Sequence, residues 1–363
     1  MKNVPQQSAF AQRRARLRPV LAELRLHALV TATMPNVHYL SGFDGSNGAM
    51  LISQERSLLF TDPRYAAQAP QQSDCEVKIA KGPLFSEIAK WAKRLKIKVL
   101  GFEQNRIGFS EHSQLKSLLE GVRLKPVDGA VETLRMVKSS AEIGAITASV
   151  RLNSVALEQA LDQFKPSMTE ADLAAEIDYR MRLLGADGTA FQTIVASGAR
   201  TAFPHAHPTN HPIQVNQLLL IDMGASVSGY ASDMTRTHAL GKLDAKIRRM
   251  YKAVLESQLA AIDSIKPGVS CARVDRTARE VLSAYGFDKL FVHSTGHGLG
   301  LEIHERPRIG RKERTKLQSG MAITVEPGIY QEGLGGIRIE DTVVVTDRGC
   351  DVLTPTGKEL VVL

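Results

Sequence analysis

Four carboxylates stand in or at the ends of strand-like apolar runs, and they restrict the fold more than any other feature of this 363-residue chain. In "LLLIDMGASVSGYASDMTRTHAL", Asp222 ends one apolar run and Asp233 sits in the next, with Gly224 and Gly229 bracketing the turn between them. In "MAITVEPGIY", Glu326 ends another run just before Pro327-Gly328, and fourteen residues on Glu340 lies within "GGIRIEDTVVV". A carboxylate inside a buried strand is costly unless it is paired or bound to a cation. Two ionised carboxylates on neighbouring strands repel unless a metal lies between them. One reading is structural: one aspartate caps a turn and the other pairs with Arg236. The recurrence of the pattern favours the other reading, because four carboxylates carry too much charge for one divalent ion and suit two ions bridged by carboxylates. Strand alternation also places Arg338 on Glu340's face, with Ile337 and Ile339 on the opposite one, and Thr235 on Asp233's face.

A hard, oxygen-rich set of this kind leaves room for a nitrogen ligand, and "TGHGLGLEIHE" offers His297 and His304. Gly296, Gly298 and Gly300 make a helix there improbable. An extended segment would put side chains seven apart on opposite faces, so neither geometry makes the two an easy chelating pair. The glycines let the backbone around His297 approach a crowded centre, which favours His297 as the ligand. His304 is then either free to hydrogen-bond a substrate oxygen or simply satisfied by a neighbour. His205 and His207 in "AFPHAHPTN" lie in a proline-bounded loop, and local reasoning does not choose between them.

The rhythm of the chain divides near residue 132. Up to that point helix-like and strand-like stretches alternate: a helix near 9–26, "ALVTAT", a hairpin pair "GAMLIS" and "RSLLFTD", a helical "SEIAKWAKRLK", the strand "KVLGFE" and a helix ended by Gly121. This predicts a small α/β domain over 1–132. Over 133–363 runs of helices (140–164, 169–185, 243–264, 270–285) separate runs of strands, which predicts an α+β domain with an antiparallel sheet. Thr169 is the expected N-cap of the second helix. No internal repeat is legible by eye.

The net charge of +8 raises the question of nucleic acid. Arg13, Arg14, Arg16 and Arg18 are interleaved with Leu17, Val20, Leu21 and Leu24 at helical spacing, so they are expected on the wet face of an amphipathic helix. No recognition motif accompanies them, and nucleic acid is not expected as a partner. No stretch of about 18 uninterrupted apolar residues suggests a membrane span, and no apolar segment follows the basic start as in a secretory leader. Cys75, Cys271 and Cys350 are scattered, without the spacing of a disulfide framework or a zinc site. A cytoplasmic location is expected.

Taken in order, "LLIDMGA", "SDMTRT", "GHGLGLEIHE", "VEPGIY" and "IRIEDTVVV" resemble the pita-bread metallopeptidase family of Xaa-Pro aminopeptidases, prolidases and methionine aminopeptidases. "NVHYLSGFDGSNGAMLI" and "LLFTDPRY" resemble the creatinase-like domain that precedes the catalytic domain in the proline-specific branch, and "LRMVKSSAEI" resembles the lead-in to the catalytic half. The resemblance implies a creatinase-like α/β domain followed by a pita-bread domain with a curved, mainly antiparallel sheet. It implies Asp222, Asp233, His297, Glu326 and Glu340 as ligands of two divalent metal ions, manganese first, with cobalt or zinc as alternatives. Pro-His-x-x-Pro selects His205 over His207. His304 corresponds to a second histidine outside the metal shell, and Arg338 to an arginine of proline-specific members. The implied reaction is hydrolysis of the Xaa-Pro bond of short proline-containing peptides by a metal-bridged hydroxide. In it His205 and His304 stabilise the oxyanion or hold substrate oxygens, Glu326 shuttles a proton and Arg338 orients the substrate, through its carboxylate in a dipeptide. The leading expectation is an Xaa-Pro aminopeptidase acting as a homodimer, and the alternative is a strict Xaa-Pro dipeptidase. More remote are a creatinase-type amidinohydrolase and a non-enzymatic binding protein on the same fold.

Overall fold

The alternating stretches of the first third build one mixed sheet. In the computed structural model, which describes residues 8–165 and 167–363, its six strands run in the order Glu76–Ile79, Ser57–Thr61, Gly48–Ser53, Ala28–Thr31, Val99–Glu103 and Arg123–Val127. The predicted hairpin is present, with Met50 opposite Leu59. Helix Leu84–Arg94 lays Ile88 and Ala92 on Leu51, Leu58 and Leu100. The outer strands Glu76–Ile79 and Arg123–Val127 were not anticipated, because both carry charged residues at half-exposed positions and show no clean alternation.

The arginine-rich helix differs from expectation. It spans Ala9–Glu23 and buries Leu17 and Leu21, but it also buries Arg14. Arg14 donates to the Leu40 carbonyl and to Asp74, both at 2.7 Å. Arg13 donates to the Tyr39 carbonyl and lies over the Tyr39 ring. Both therefore serve the carbonyl end of helix Met34–Ser41, where cations are favoured by the helix dipole.

The chain separates into two units between Arg135 and Met136. In the second unit the order of elements repeats. Helices Ser140–Asp162 and Glu170–Leu183 are followed by the antiparallel strands Ile194–Ser197, Gln217–Met223 and Met234–Leu240. Helices Ala245–Asp263 and Cys271–Ala284 are followed by Gly296–Gly298, Ala322–Val325 and Asp341–Val345, again in one antiparallel sheet. The repeat is one of topology and not of residue identity, which is why it cannot be seen by eye in the sequence. The first two helices open with reciprocal capping boxes, Ser139 with Glu142 and Thr169 with Asp172. Each such cap stabilises its helix by about 1 kcal/mol.

Strand parity decides which face receives the carboxylates. Leu219, Ile221 and Met223 pack on the first helix pair through Leu157, Leu173 and Ile177, so Asp222 faces the other way. Ile323 and Val325 belong to the core under the second helix pair, so Thr324 and Glu326 share the opposite face. Each half thus covers one side of its sheet with helices and turns its acids to the other. No helix among the described residues is long and apolar enough to cross a membrane.

Candidate metal centre

Only Asp222 lies within a regular strand, opposite Thr235 in the register. Asp233, Glu326 and Glu340 sit at interruptions: just before Met234–Leu240, just after Ala322–Val325, and between Gly335–Arg338 and Asp341–Val345. The sequence reading of Asp233 and Glu340 as residues inside continuous strands is corrected in this detail. A break frees the local backbone from the ladder, so the carboxylate can aim inward without continuing the pleat.

The folded chain brings these groups together. Ligand atoms of Asp233, His297 and Glu340 all lie within 4.8 Å of one another. His297 Nε2 is 3.3 Å from Glu326 Oε1 and 3.5 Å from Asp233 Oδ2. Its Nδ1 is 3.0 Å from the Gly298 carbonyl, which can only accept, so Nδ1 carries a proton. Although burial opposes it, the hydrogen bond and charge of Glu326 at Nε2 raise the imidazole above its ordinary pKa. Cβ atoms at Gly296 and Gly298 would stand 2.0 Å from the Thr324 carbonyl oxygen and 2.3 Å from that of Arg306, so no other residue fits on either side of His297. Thr324 Oγ1 donates to Glu326 at 3.0 Å, and Thr235 Oγ1 donates to Glu340 Oε2 at 2.7 Å.

Arg338 binds the set from beside it. Its Nε donates to Thr235 Oγ1 (3.0 Å), one terminal nitrogen to Tyr330 Oη (2.8 Å) and the Pro204 carbonyl (3.2 Å), and the other to Asp222 Oδ2 (2.7 Å). Tyr330 in turn donates to His293 Nε2 at 2.9 Å, since His293 Nδ1 is engaged with the Ser294 carbonyl. Neither Tyr330 nor His293 is singled out by the sequence alone. The signal was there in "VEPGIY" and in a histidine four residues before His297, but only the fold shows that they join one hydrogen-bonded line. Arg236, the other cation considered for the aspartates, points away and pairs with Asp341 at 2.7 Å. The expected pairing of an aspartate with Arg236 is therefore corrected: Arg236 serves Asp341, and Asp222 pairs with Arg338 instead.

Burial first, then mutual repulsion, pushes the carboxyls of Asp233 and Glu340 well above their ordinary range. Asp222 is also raised by burial, against the pull of Arg338. Burial acts the same way on Glu326, but the hydrogen bond and charge of His297 prevail and bring it down to about 2. Asp222 Oδ1 and Glu340 Oε1 are buried and have no hydrogen-bond partner. Buried carboxylate oxygens without donors, beside a histidine nitrogen, are what divalent cations require, so the residues fit such ions.

The two histidines of "TGHGLGLEIHE" meet directly. The chain turns back after Gly298, and the rings of His297 and His304 stand edge to face with centroids 4.4 Å apart. Parity along an extended segment does not apply, because residues 299–304 form a bend. Partial burial, then the neighbouring His297, holds the His304 imidazole below its ordinary pKa. Of the loop histidines, His207 is 3.2 Å from Gln192, whereas the peptide preceding His205 is the one that Arg338 holds.

That loop is anchored from outside by Glu170, which is fully buried. Glu170 accepts from the Ser197 amide (2.8 Å), Arg200 Nε (3.0 Å) and Thr209 Oγ1 (2.9 Å). Glu170→Ala is expected to speed hydrogen exchange over residues 198–209 and to lower kcat/KM by about 10²-fold through misplacement of His205. Unchanged exchange across that loop would refute the anchor.

Comparison with known proteins agrees with this architecture. Residues 144–347 match the model of metallopeptidase family M24, and residues 13–137 that of the creatinase/prolidase N-terminal domain. An Xaa-Pro dipeptidase from Pyrococcus horikoshii is 37% identical over 339 residues, 93% of this chain and 95% of its own. Among solved structures, an Xaa-Pro dipeptidase from Bacillus anthracis superposes with a TM-score of 0.95 at 37% identity, covering 98% of this chain and 100% of that one. An X-Pro aminopeptidase from Thermotoga maritima superposes with a TM-score of 0.89 at 36% identity, covering 97% and 100%. The repeated helix-and-strand halves, the acids on their inner faces and a creatinase-like domain ahead of them place this chain in metallopeptidase family M24, in its proline-specific branch with the pita-bread fold.

Proposed function

We propose that the chain hydrolyses the Xaa-Pro bond of dipeptides with two divalent cations, manganese first, held by Asp222, Asp233, His297, Glu326 and Glu340. The observation that carries the reading is the convergence of Asp233, His297 and Glu340 within 4.8 Å, with unpartnered buried oxygens on Asp222 and Glu340. When bound, such cations polarise the scissile carbonyl and lower the pKa of water toward neutrality. Glu326 accepts a proton from the attacking water and passes it to the proline nitrogen that leaves. His304 and the loop residue His205 donate hydrogen bonds to the oxygen on which charge develops.

Arg338 takes a different part from the one expected of it. Its guanidinium is 4% exposed and makes four hydrogen bonds within the protein. These bonds support a part in holding Asp222, Tyr330 and Pro204 in place rather than direct receipt of the substrate carboxylate.

Relatives named for dipeptidase activity support the dipeptide as preferred substrate over the longer peptides of an aminopeptidase, which reverses the order expected from sequence. The test is kcat/KM of the manganese-loaded protein on Ala-Pro and on Ala-Pro-Ala. The dipeptide is expected to be favoured by about 10-fold or more; equal or better cleavage of the tripeptide would return the aminopeptidase reading. A homodimer belongs to the same proposal and is tested by light scattering.

A further inference from the structure

The lead-in "KSSAEI" contributes more than a helix cap. Lys138 Nζ lies 3.2 Å from Glu305 Oε2, with the two side chains 1% and 6% exposed. The other oxygen of Glu305 accepts from the Glu302 amide at 3.2 Å. One carboxylate thus closes the short turn from Glu302 to Glu305, and His304 stands inside it. The room for that carboxylate comes from Gly300, where a Cβ would meet the two Glu305 oxygens at 2.8 and 2.9 Å. Gly300 is itself fixed on both sides: its amide donates to the Glu302 carbonyl at 3.0 Å, and its carbonyl accepts from the Ala231 amide at 2.7 Å.

Lys138 is anchored independently of this turn. Its amide donates to the Gly320 carbonyl at 2.9 Å, and Val137 bridges to Met321, just before the strand that leads to Glu326. A lysine and a glutamate buried this deeply gain little stability over apolar residues of the same volume, because desolvation offsets their attraction. Placement is the property such a pair can supply. Here the ammonium reaches from a segment paired with Gly320 and Met321, just ahead of the strand leading to Glu326, to the turn that carries His304.

We infer that Lys138 is a positioning residue for His304: through Glu305 it sets where the imidazole stands beside His297. This rests on the reading of His304 as a substrate-facing group, so the test separates the two. Lys138→Met, Lys138→Arg, His304→Ala and the double variant Lys138→Met/His304→Ala are compared for kcat, KM and bound metal. In Lys138→Met, kcat is expected to fall about 10- to 100-fold with KM and metal content unchanged. Lys138→Arg should recover most of the loss, and Lys138→Met should cost nothing further once His304 is alanine. Normal kcat in Lys138→Met, or losses that multiply in the double variant, would overturn the inference. A second readout is the His304 imidazole resonance of the zinc-loaded protein, assigned by its disappearance in His304→Ala. It should shift in Lys138→Met, and an unmoved resonance overturns the positioning role. Should His304→Ala keep full turnover, the catalytic reading of His304 fails while the resonance still decides the role of Lys138. Gly300→Ala displaces the same carboxylate from its other side and should reproduce the Lys138→Met signature if that variant does not fold.

Discussion

Replacing His297 with alanine is expected to strip metal from the protein and to lower kcat/KM by about 10³-fold or more, in the range for removal of an essential catalytic group. Replacing His304 with alanine is expected to leave metal content intact and lower kcat by about 10²- to 10³-fold, the effect of losing one donor to a developing oxyanion. The two rings stand 4.4 Å apart, so both truncations open space in the same part of the site, and metal content separates their roles. His297 directs Nε2 at Glu326 and Asp233 and is flanked by glycines that no side chain can replace. His304 has none of these constraints: it is half-exposed, and its ring stands against that of His297. Metal analysis by mass spectrometry beside steady-state kinetics checks both statements. Full metal occupancy in both variants would remove the distinction between ligand and hydrogen-bond donor.

The second large effect concerns stability. Arg236 is 1% exposed and spends its guanidinium on Asp341, on the carbonyls of Thr235 and Glu340, and on those of Thr356 and Gly357. Asp341 also accepts from Gln258 at 2.8 Å and from Lys358. Burial opposes the ionised form of Asp341, but Arg236 and Lys358 outweigh it and carry the carboxyl below its ordinary value. Asp341→Ala strands a buried guanidinium, which costs about 3–5 kcal/mol. At about 2–4 °C per kcal/mol for a unit of this size, Tm should fall by roughly 6–20 °C. Calorimetry of the metal-free protein reads this directly, and a shift under about 2 °C would show that Arg236 finds another partner. Because the same guanidinium holds the carbonyls of Thr235 and Glu340, the variant should also bind metal more weakly.

Much of this site is legible in the sequence because strand parity is a local property. Once Leu219, Ile221 and Met223 are assigned to a helix-covered face, Asp222 must face the other way, and the same holds for Glu326 beside Ile323 and Val325. Parity misleads where the ladder breaks. It separated His297 from His304, whereas a bend at 299–304 brings their rings together. It also could not show that Asp233 and Glu340 sit at strand interruptions. Helical spacing erred in the same way for Arg14, since periodicity marks which face is apolar but not which arginine finds a carboxylate and a row of carbonyls within reach.

By itself the sequence determined the two-part organisation, the long helices with the Thr169 cap, the acids turned from the helix-covered faces, and the glycines that let the backbone around His297 approach the site. These follow from propensity, periodicity and steric volume, which act over a few residues. Tertiary structure alone decided that Arg236 serves Asp341 and Arg338 serves Asp222, that Tyr330 and His293 extend the line from Arg338, and that Lys138 reaches Glu305. Those are pairings between residues far apart in the chain. Burial makes each charge take the partner that packing brings within about 3 Å, and no short-range pattern encodes which partner that is.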